Sequence, residues 1–191
     1  MKKAILLWVS ILISATSAEA QIGLGAAAAM LNPGFSKSDV SHSQFDPGWG
    51  YEFLIRHNLV QIGDSLLLKA RWSYRYDKTT IKLPNVLEIW FKFNYLTLNF
   101  FVDVIKSKNF ALYSGLGGSL VSVNAEKDFL KVTETVFIPE VLLGGELMLS
   151  KYYSLFTEFS FQSGSVKTDY DMLPMTGFRM VIGATMFLIS E

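Results

Sequence analysis

The chain has 191 residues, with 17 basic and 17 acidic side chains and no cysteine. The balanced charge argues against a nucleic-acid partner. The absence of thiols excludes disulfide bonds, thiolate metal sites and a lipid-modified N-terminal cysteine.

The first 20 residues have the three parts of a secretory signal peptide. Two lysines follow Met1, an apolar core spans residues 4–13, and Ala18 to Ala20 form a small-x-small cleavage site. The apolar core is too short for a membrane anchor. We therefore predict a cleaved signal peptide over residues 1–20 and a single exported domain over residues 21–191. That second part has no apolar run of transmembrane-helix length, so it can span a membrane only as a closed barrel.

Two strands are predicted in the first third of the chain. Residues 21–30 alternate larger apolar side chains with glycine and alanine, and small residues suit the crowded inside of a narrow barrel. Residues 49–56 alternate aromatic and aliphatic side chains with Gly50, Glu52, Leu54 and Arg56. The turn signals in residues 31–47 predict a loop, and residues 59–64 predict a short break.

The third and fourth predicted strands span residues 65–77 and 86–105, with a polar connection over residues 78–85. The third strand alternates basic with aromatic side chains. In the fourth, the phase of the alternation changes near Tyr95 and Leu96. A β-bulge at that point would account for the change, and so would a loop-borne extension of the strand before Asn94.

A tight polar turn over residues 106–109 precedes a glycine-rich strand over residues 110–123, and a charged loop is predicted over residues 124–134. The stretch from Thr135 to Gln162 then alternates with a period of two in two arms. Because successive side chains of a strand point to opposite faces, this predicts a hairpin with one apolar and one mixed face. Each arm has about the ~9–11 residues that a tilted strand needs to cross a bilayer. The alternative of a helix is disfavoured because the glutamates would not share one face at a 3.6 period.

A last strand is predicted over residues 176–189, after a loop over residues 163–175. The connections after strands one, three, five and seven are long or polar, and the others are short. Outer-membrane barrels have this alternation of short periplasmic turns and long extracellular loops. The prediction is an all-β, eight-stranded antiparallel up-and-down transmembrane barrel in the bacterial outer membrane, with both termini periplasmic.

The apolar faces carry aromatic side chains close to strand ends. This is typical of the aromatic belts at a bilayer interface. The alternative is a soluble barrel with these aromatics inside. The predicted membrane-interface aromatics are Trp49, Tyr51, Trp72, Tyr74, Tyr76 and Phe178.

The mixed faces carry five basic and five acidic side chains. Charges in a confined interior must be paired and hydrogen-bonded or they are costly. We predict a structural ion-pair network that fills the lumen, with a proton path or ligand site as the alternative; an ion-conducting pore would need a wider barrel. The predicted network is Glu52, Arg56, Lys69, Arg71, Arg75, Asp103, Glu140, Glu146, Glu158 and Arg179.

Three segments carry a family resemblance: IPEVLLGGELMLSKYYSLFTEFSF at 138–161, GFRMVIGATMFLI at 177–189 and KSKNFALYSGLG at 106–117. They resemble the small outer-membrane β-barrels common in Bacteroidetes, the porin-family or PorT-like group. The resemblance implies fold and location, and it carries no shared catalytic residues. Barrels of this kind often end on an aromatic residue, whereas the last aromatic here, Phe187, falls on the predicted inner face.

Residues for catalysis or metal binding are scarce. The two histidines are His42, beside two serines in the first loop, and His57, at a predicted periplasmic turn. The sequence shows no clustered metal ligands, and no cofactor is expected. The predicted function is therefore a non-enzymatic structural or accessory barrel, as a subunit of an outer-membrane secretion or assembly complex. A small porin is the alternative, and a lipid-modifying enzyme a weaker one. The expected partners are outer-membrane lipid and other outer-membrane or periplasmic proteins of the complex.

Overall fold

The computed structural model describes residues 21–33, 44–45, 47–62, 66–83, 87–126, 133–167, 172–174 and 176–188. The predicted signal peptide and His42 lie outside the described residues. Across those ranges the chain forms strands and turns only. None of the described residues belongs to a helix of the length and apolar character needed to cross a membrane.

Eight antiparallel strands close into a barrel, as predicted. They are β1 (Ile22–Pro33), β3 (Gly48–Ile62), β4 (Leu66–Leu83), β5 (Leu87–Lys106), β6 (Phe110–Glu126), β7 (Thr133–Met148), β8 (Tyr153–Gln162) and β11 (Gly177–Leu188). Each of them pairs with the next along the chain, and the first pairs with the last, from Ile22 opposite Leu188 to Pro33 opposite Gly177. A two-residue strand, β2 (Gln44–Phe45), extends the pairing of β4, and β9 (Ser165–Lys167) pairs with β10 (Met172–Pro174).

The side chains of the barrel strands alternate between the lumen and the outer surface, as the period of two predicts. In β8 every second residue is buried from Ser154 to Gln162. The predicted inward and outward faces of β1, β3, β7, β8 and β11 are confirmed, and Phe187 points inward. The aromatics of β3 point outward, with 69% of Trp49 and 58% of Phe53 exposed. The placement of those aromatics inside the barrel, on which the soluble-barrel alternative depended, is therefore wrong.

Several strands are longer than predicted at the end where the long connections lie. The polar connection predicted over residues 78–85 is wrong, because β4 and β5 stay paired from Lys78 opposite Lys92 to Leu83 opposite Leu87. The outward residues Lys78, Lys92 and Asn94 of these two strands are polar, so the apolar alternation used for the prediction stops before the backbone pairing does. The loop predicted over residues 124–134 is also too long at both ends, because β6 continues to Glu126 and β7 begins at Thr133.

The other predicted connections are also shorter than expected. The break predicted over residues 59–64 is wrong for its first four residues, because β3 continues to Ile62 beyond a register shift between Asn58 and Val60. The loop predicted over residues 31–47 loses its first residues to β1 and contains β2, and the loop predicted over residues 163–175 contains β9 and β10. Backbone pairing, which a side-chain pattern does not report, sets these boundaries.

The change of phase in the alternation of β5 is not caused by a β-bulge. The register of β5 runs unbroken past Tyr95 and Leu96 on both sides, and its irregularity lies between Asp103 and Ile105. The bulge interpretation is therefore wrong, and the strand extends before Asn94. Phe91 and Phe93 of that extension point into the barrel, whereas Leu96, Leu98, Phe100 and Val102 point outward.

Candidate functional site: the charged lumen

All ten predicted charged residues point into the barrel. Nine of them are buried, and Lys69 is half-buried. An eleventh, Asp77, is fully buried on the same face of β4 and was missed by the sequence analysis, which treated it as the end of the third strand. The sequence pattern could have identified Asp77, because this residue continues the inward alternation of Lys69, Arg71 and Arg75.

Glu52 of β3 is the centre of this network. Arg179 Nη1 donates to Glu52 Oε2 at 2.8 Å. Arg75 Nε lies 3.3 Å from the same oxygen, and Arg71 Nε lies 3.9 Å from Oε1. One carboxylate therefore faces three guanidinium groups from β4 and β11, all shielded from solvent.

Two arginines of β4 form forked pairs with glutamates on the far side of the barrel. Arg71 donates to both carboxylate oxygens of Glu158 at 2.7 and 2.8 Å. Arg75 donates to both oxygens of Glu140 at 2.8 and 3.0 Å. Such two-point pairs fix orientation as well as charge. They therefore tie β4 to β8 and β7 directly across the lumen, between strands that share no backbone hydrogen bonds.

Neutral side chains complete the middle layer. Tyr113 of β6 donates to Glu158 Oε2 at 3.2 Å. In the amide orientation that satisfies both groups, the Asn99 oxygen accepts from Arg71 Nη2 at 2.9 Å and Arg75 Nη2 at 3.3 Å. A Cβ atom at residue 144 would overlap the Tyr113 ring, so Gly144 leaves the space that this tyrosine occupies.

The end of the lumen next to the short turns holds two separate pairs. Arg56 Nη1 donates to Glu146 Oε1 at 2.7 Å, and the Ser154 hydroxyl donates to the same oxygen at 2.5 Å. The Arg56 guanidinium also lies 4.4 Å from the centre of the Phe156 ring, a distance at which a cation and an aromatic face attract. Lys69 donates to Asp103 at 2.7 Å.

The opposite end of the lumen changes from charged to apolar. Asp77 Oδ2 lies 3.3 Å from Arg179 Nε at this end of the charged network. A Cβ atom at residue 50 would overlap Asp77 Oδ1, so Gly50 provides its space. Beyond it lies a group of inward apolar side chains, all almost completely buried: Phe91, Phe93, Tyr95, Val121, Val123 and Ile138.

The six predicted interface aromatics all point outward. Trp49, Tyr51, Tyr74 and Phe178 are exposed, and Trp72 and Tyr76 are half-buried. Tyr51 stacks on Tyr76 with 5.2 Å between the ring centres, and Phe178 packs against Phe161 at 5.1 Å. These aromatics therefore form neighbouring pairs on the outer surface.

Little in the described part of the chain points to a reaction. No group of three or more histidine, cysteine, aspartate or glutamate side chains within those ranges could hold a metal ion. His57, predicted at a turn, lies within β3 opposite Ala70 and is buried. The charged side chains of the lumen instead pair with one another across the barrel, although several of their buried atoms, among them Arg56 Nη2 and Arg179 Nη2, have no hydrogen-bond partner among the described residues. The pairs that are formed hold strands of opposite walls together.

The forked pair between Arg71 and Glu158 provides a test of that arrangement. Either single change, Arg71→Met or Glu158→Leu, is expected to cost about 3–5 kcal/mol of unfolding free energy, because the partner is left buried and unpaired. The double variant should lose less than the sum of the two, since both charges are then gone. Urea titration of the barrel in lipid vesicles measures all four proteins. Strict additivity would contradict the direct pair.

Comparison with solved structures places this fold among small outer-membrane barrels. The chain is similar to the outer membrane protein OprG from Pseudomonas aeruginosa, with 12% identity, 91% of this chain and 97% of that chain covered, and a TM-score of 0.59. It is similar to Neisserial surface protein A, with 15% identity, 87% of this chain and 96% of that chain covered, and a TM-score of 0.56. It is also similar to Ail, the attachment invasion locus protein of Yersinia pestis, whose structure was solved in complex with the heparin analogue sucrose octasulfate. Here the identity is 14%, 89% of this chain and 98% of that chain are covered, and the TM-score is 0.51. No protein-family model and no curated protein matches the chain.

At 12–15% identity the likeness is one of fold. The chain is thus an eight-stranded closed antiparallel barrel of the architecture that these outer-membrane proteins share.

Proposed function

We propose that this chain is a non-enzymatic integral outer-membrane barrel whose lumen is filled by its own side chains. Its role would be structural or accessory, as a subunit of an outer-membrane secretion or assembly complex of the kind implied by the PorT-like resemblance. The observation that carries the proposal is the network around Glu52, in which charges from opposite walls bond to one another across the lumen.

The outer surface supports insertion in a bilayer. The outward side chains of β5 are apolar from Leu96 to Val104 and polar at Asn94 and Lys92. At about 3.3 Å per residue and a tilt near 40°, residues 96–105 span roughly 23 Å along the barrel axis. This is close to the ~25 Å apolar band of outer-membrane barrels.

The position of the ends supports the proposed orientation. Residue 22 and residue 188 are paired at the end of the barrel where the short turns over residues 107–109 and 149–152 lie. Outer-membrane barrels place short turns in the periplasm. We therefore propose that both ends of the domain are periplasmic, where a chain exported by a signal peptide arrives.

The plugged lumen predicts low conductance. An eight-stranded barrel is just wide enough for its own side chains, and here Arg71, Arg75 and Glu158 meet in the middle with little or no solvent exposure. Purified protein in planar bilayers should give no large, stable single-channel steps. Such steps would favour the alternative of a small porin and contradict the plugged lumen. A known wide porin, reconstituted in the same lipid, serves as the positive control.

A further inference from the structure

An outward groove of about 490 Å³ lies on the barrel where β1, β8 and β11 run side by side. The outward side chains that line it are Leu24, Ala26, Tyr153, Leu155, Ala184 and Met186. Ala26 and Ala184 lie directly opposite each other in register. The same outward row continues to Phe53 on one side and Leu155 on the other, which are 58% and 47% exposed. Two small residues between two large ones therefore leave a channel that is two strands wide.

The channel begins at a short turn and ends inside the apolar band. At the inner end, the next outward residue of β11 is Ile182, which is 59% exposed and closes the channel. At the other end, the groove is lined by Leu149 and Tyr153, which flank the short turn after β7. This turn is fixed beside β11, because Phe187 N donates to Tyr152 O at 2.8 Å. A ligand chain can therefore enter along the barrel wall from the level of the turn.

The turn at the mouth of the groove carries a cation and two tyrosines. Lys151 is exposed, and its ammonium lies 4.8 Å from the centre of the Tyr152 ring. Tyr153 lines the groove and is 54% exposed. Tyrosine is enriched where a bilayer meets water, because its ring is apolar and its hydroxyl is polar. A lysine near the surface of a membrane attracts anionic lipid. The mouth therefore combines groups that suit the level of lipid head groups.

We propose that this groove binds one anionic phospholipid of the periplasmic leaflet. An acyl chain lies over Ala26 and Ala184, and the phosphate lies next to Lys151. Charge complementarity selects this occupant, because an apolar lining that ends at a cation matches a molecule with an apolar chain and an anionic head. The proposal rests on the placement in the outer membrane, with both ends of the domain periplasmic, that is proposed above.

The test counts bound lipid by native mass spectrometry of the purified protein released from nonionic detergent micelles. Titration with phosphatidylglycerol should give one tight adduct per barrel. Ala184→Phe fills the channel and should weaken this adduct at least about tenfold, because the acyl chain loses its apolar contacts. Lys151→Gln should weaken it about fivefold, the effect of one lysine on the attraction of anionic lipid. Diacylglycerol, which has no phosphate, should bind the unaltered protein about as weakly as phosphatidylglycerol binds Lys151→Gln.

Each variant has a matched control. Thr157→Phe adds the same ring at an exposed outward position of β8 outside the groove, and Lys108→Gln removes an exposed lysine from the other short turn. Both controls should bind phosphatidylglycerol as the unaltered protein does.

Equal affinity of a variant and its control, in either pair, would overturn the proposal. If Ala184→Phe does not fold, the comparison of Lys151→Gln with Lys108→Gln decides alone. A lipid-free dimer that Ala184→Phe splits would also overturn the proposal, by showing that a second copy of the chain occupies the groove. The assay measures neither conductance nor insertion, so its failure would leave the plugged-barrel function standing.

Discussion

Replacing Glu52 by glutamine is expected to lower the free energy of unfolding by about 3–5 kcal/mol. The change keeps the shape of the side chain but removes the negative charge that faces three buried guanidinium groups. Arg179 then keeps only its longer contact with Asp77, 3.3 Å from Nε to Oδ2, among its charged partners in the described residues. Urea titration in lipid vesicles measures the difference.

The matched control is Ser160→Ala on β8. Ser160 is equally buried in the same lumen, but within the described ranges its hydroxyl makes no hydrogen bond. We expect Ser160→Ala to lower the free energy of unfolding by much less than Glu52→Gln does. If the two variants unfold at the same urea concentration, the central carboxylate is not the link that holds the arginines, and the proposed network is wrong.

Introducing arginine on the outer surface at Leu143 is expected to cost about 2–4 kcal/mol in a bilayer, because this position lies near the midplane of the apolar band. Leu143 is outward on β7, between Ser114 of β6 and Phe159 of β8, and 58% of it is exposed. In water such an exposed site would tolerate a charge. The cost therefore arises only if lipid covers the surface.

Leu149→Arg is the control for that change. Leu149 is exposed to the same extent, 59%, but lies in the short turn after β7, where a charge at the interface should cost about 0–1 kcal/mol. Folding yield and urea stability in vesicles should therefore separate the two variants. Equal stability of Leu143→Arg and Leu149→Arg would contradict the proposed position of the bilayer.

The barrel could be predicted from local patterns because strand alternation is a local property. In the segment from Thr135 to Gln162, each inward residue is two positions from the next, and the structure follows this alternation along both arms. The same alternation placed the ten charged side chains on inner faces. The one inward charge that was not predicted, Asp77, stands at the predicted end of the third strand, which in the structure continues to Leu83.

The strand ends could not be predicted, because the end of the apolar outward face and the end of the backbone pairing, which usually coincide, lie at different residues here. Outward side chains become polar above the apolar band, at Lys78 and Lys92, while the backbone pairing continues to Leu83 and Leu87. A sequence pattern detects the first change and not the second. For the same reason the inward aromatics Phe91 and Phe93 resembled the outward face of a shifted strand.

The sequence by itself determined the number and order of the eight barrel strands and, apart from the extended ends of β4 and β5, the face on which their side chains lie. Only the tertiary structure decided the charge partners: Arg179 bonds to Glu52, which is 127 positions away, and Arg71 bonds to Glu158, 87 positions away. Five bases and five acids on inner faces allow many pairings. The closure of the barrel, with its register and strand tilt, selects one of them by bringing particular atoms within hydrogen-bond distance.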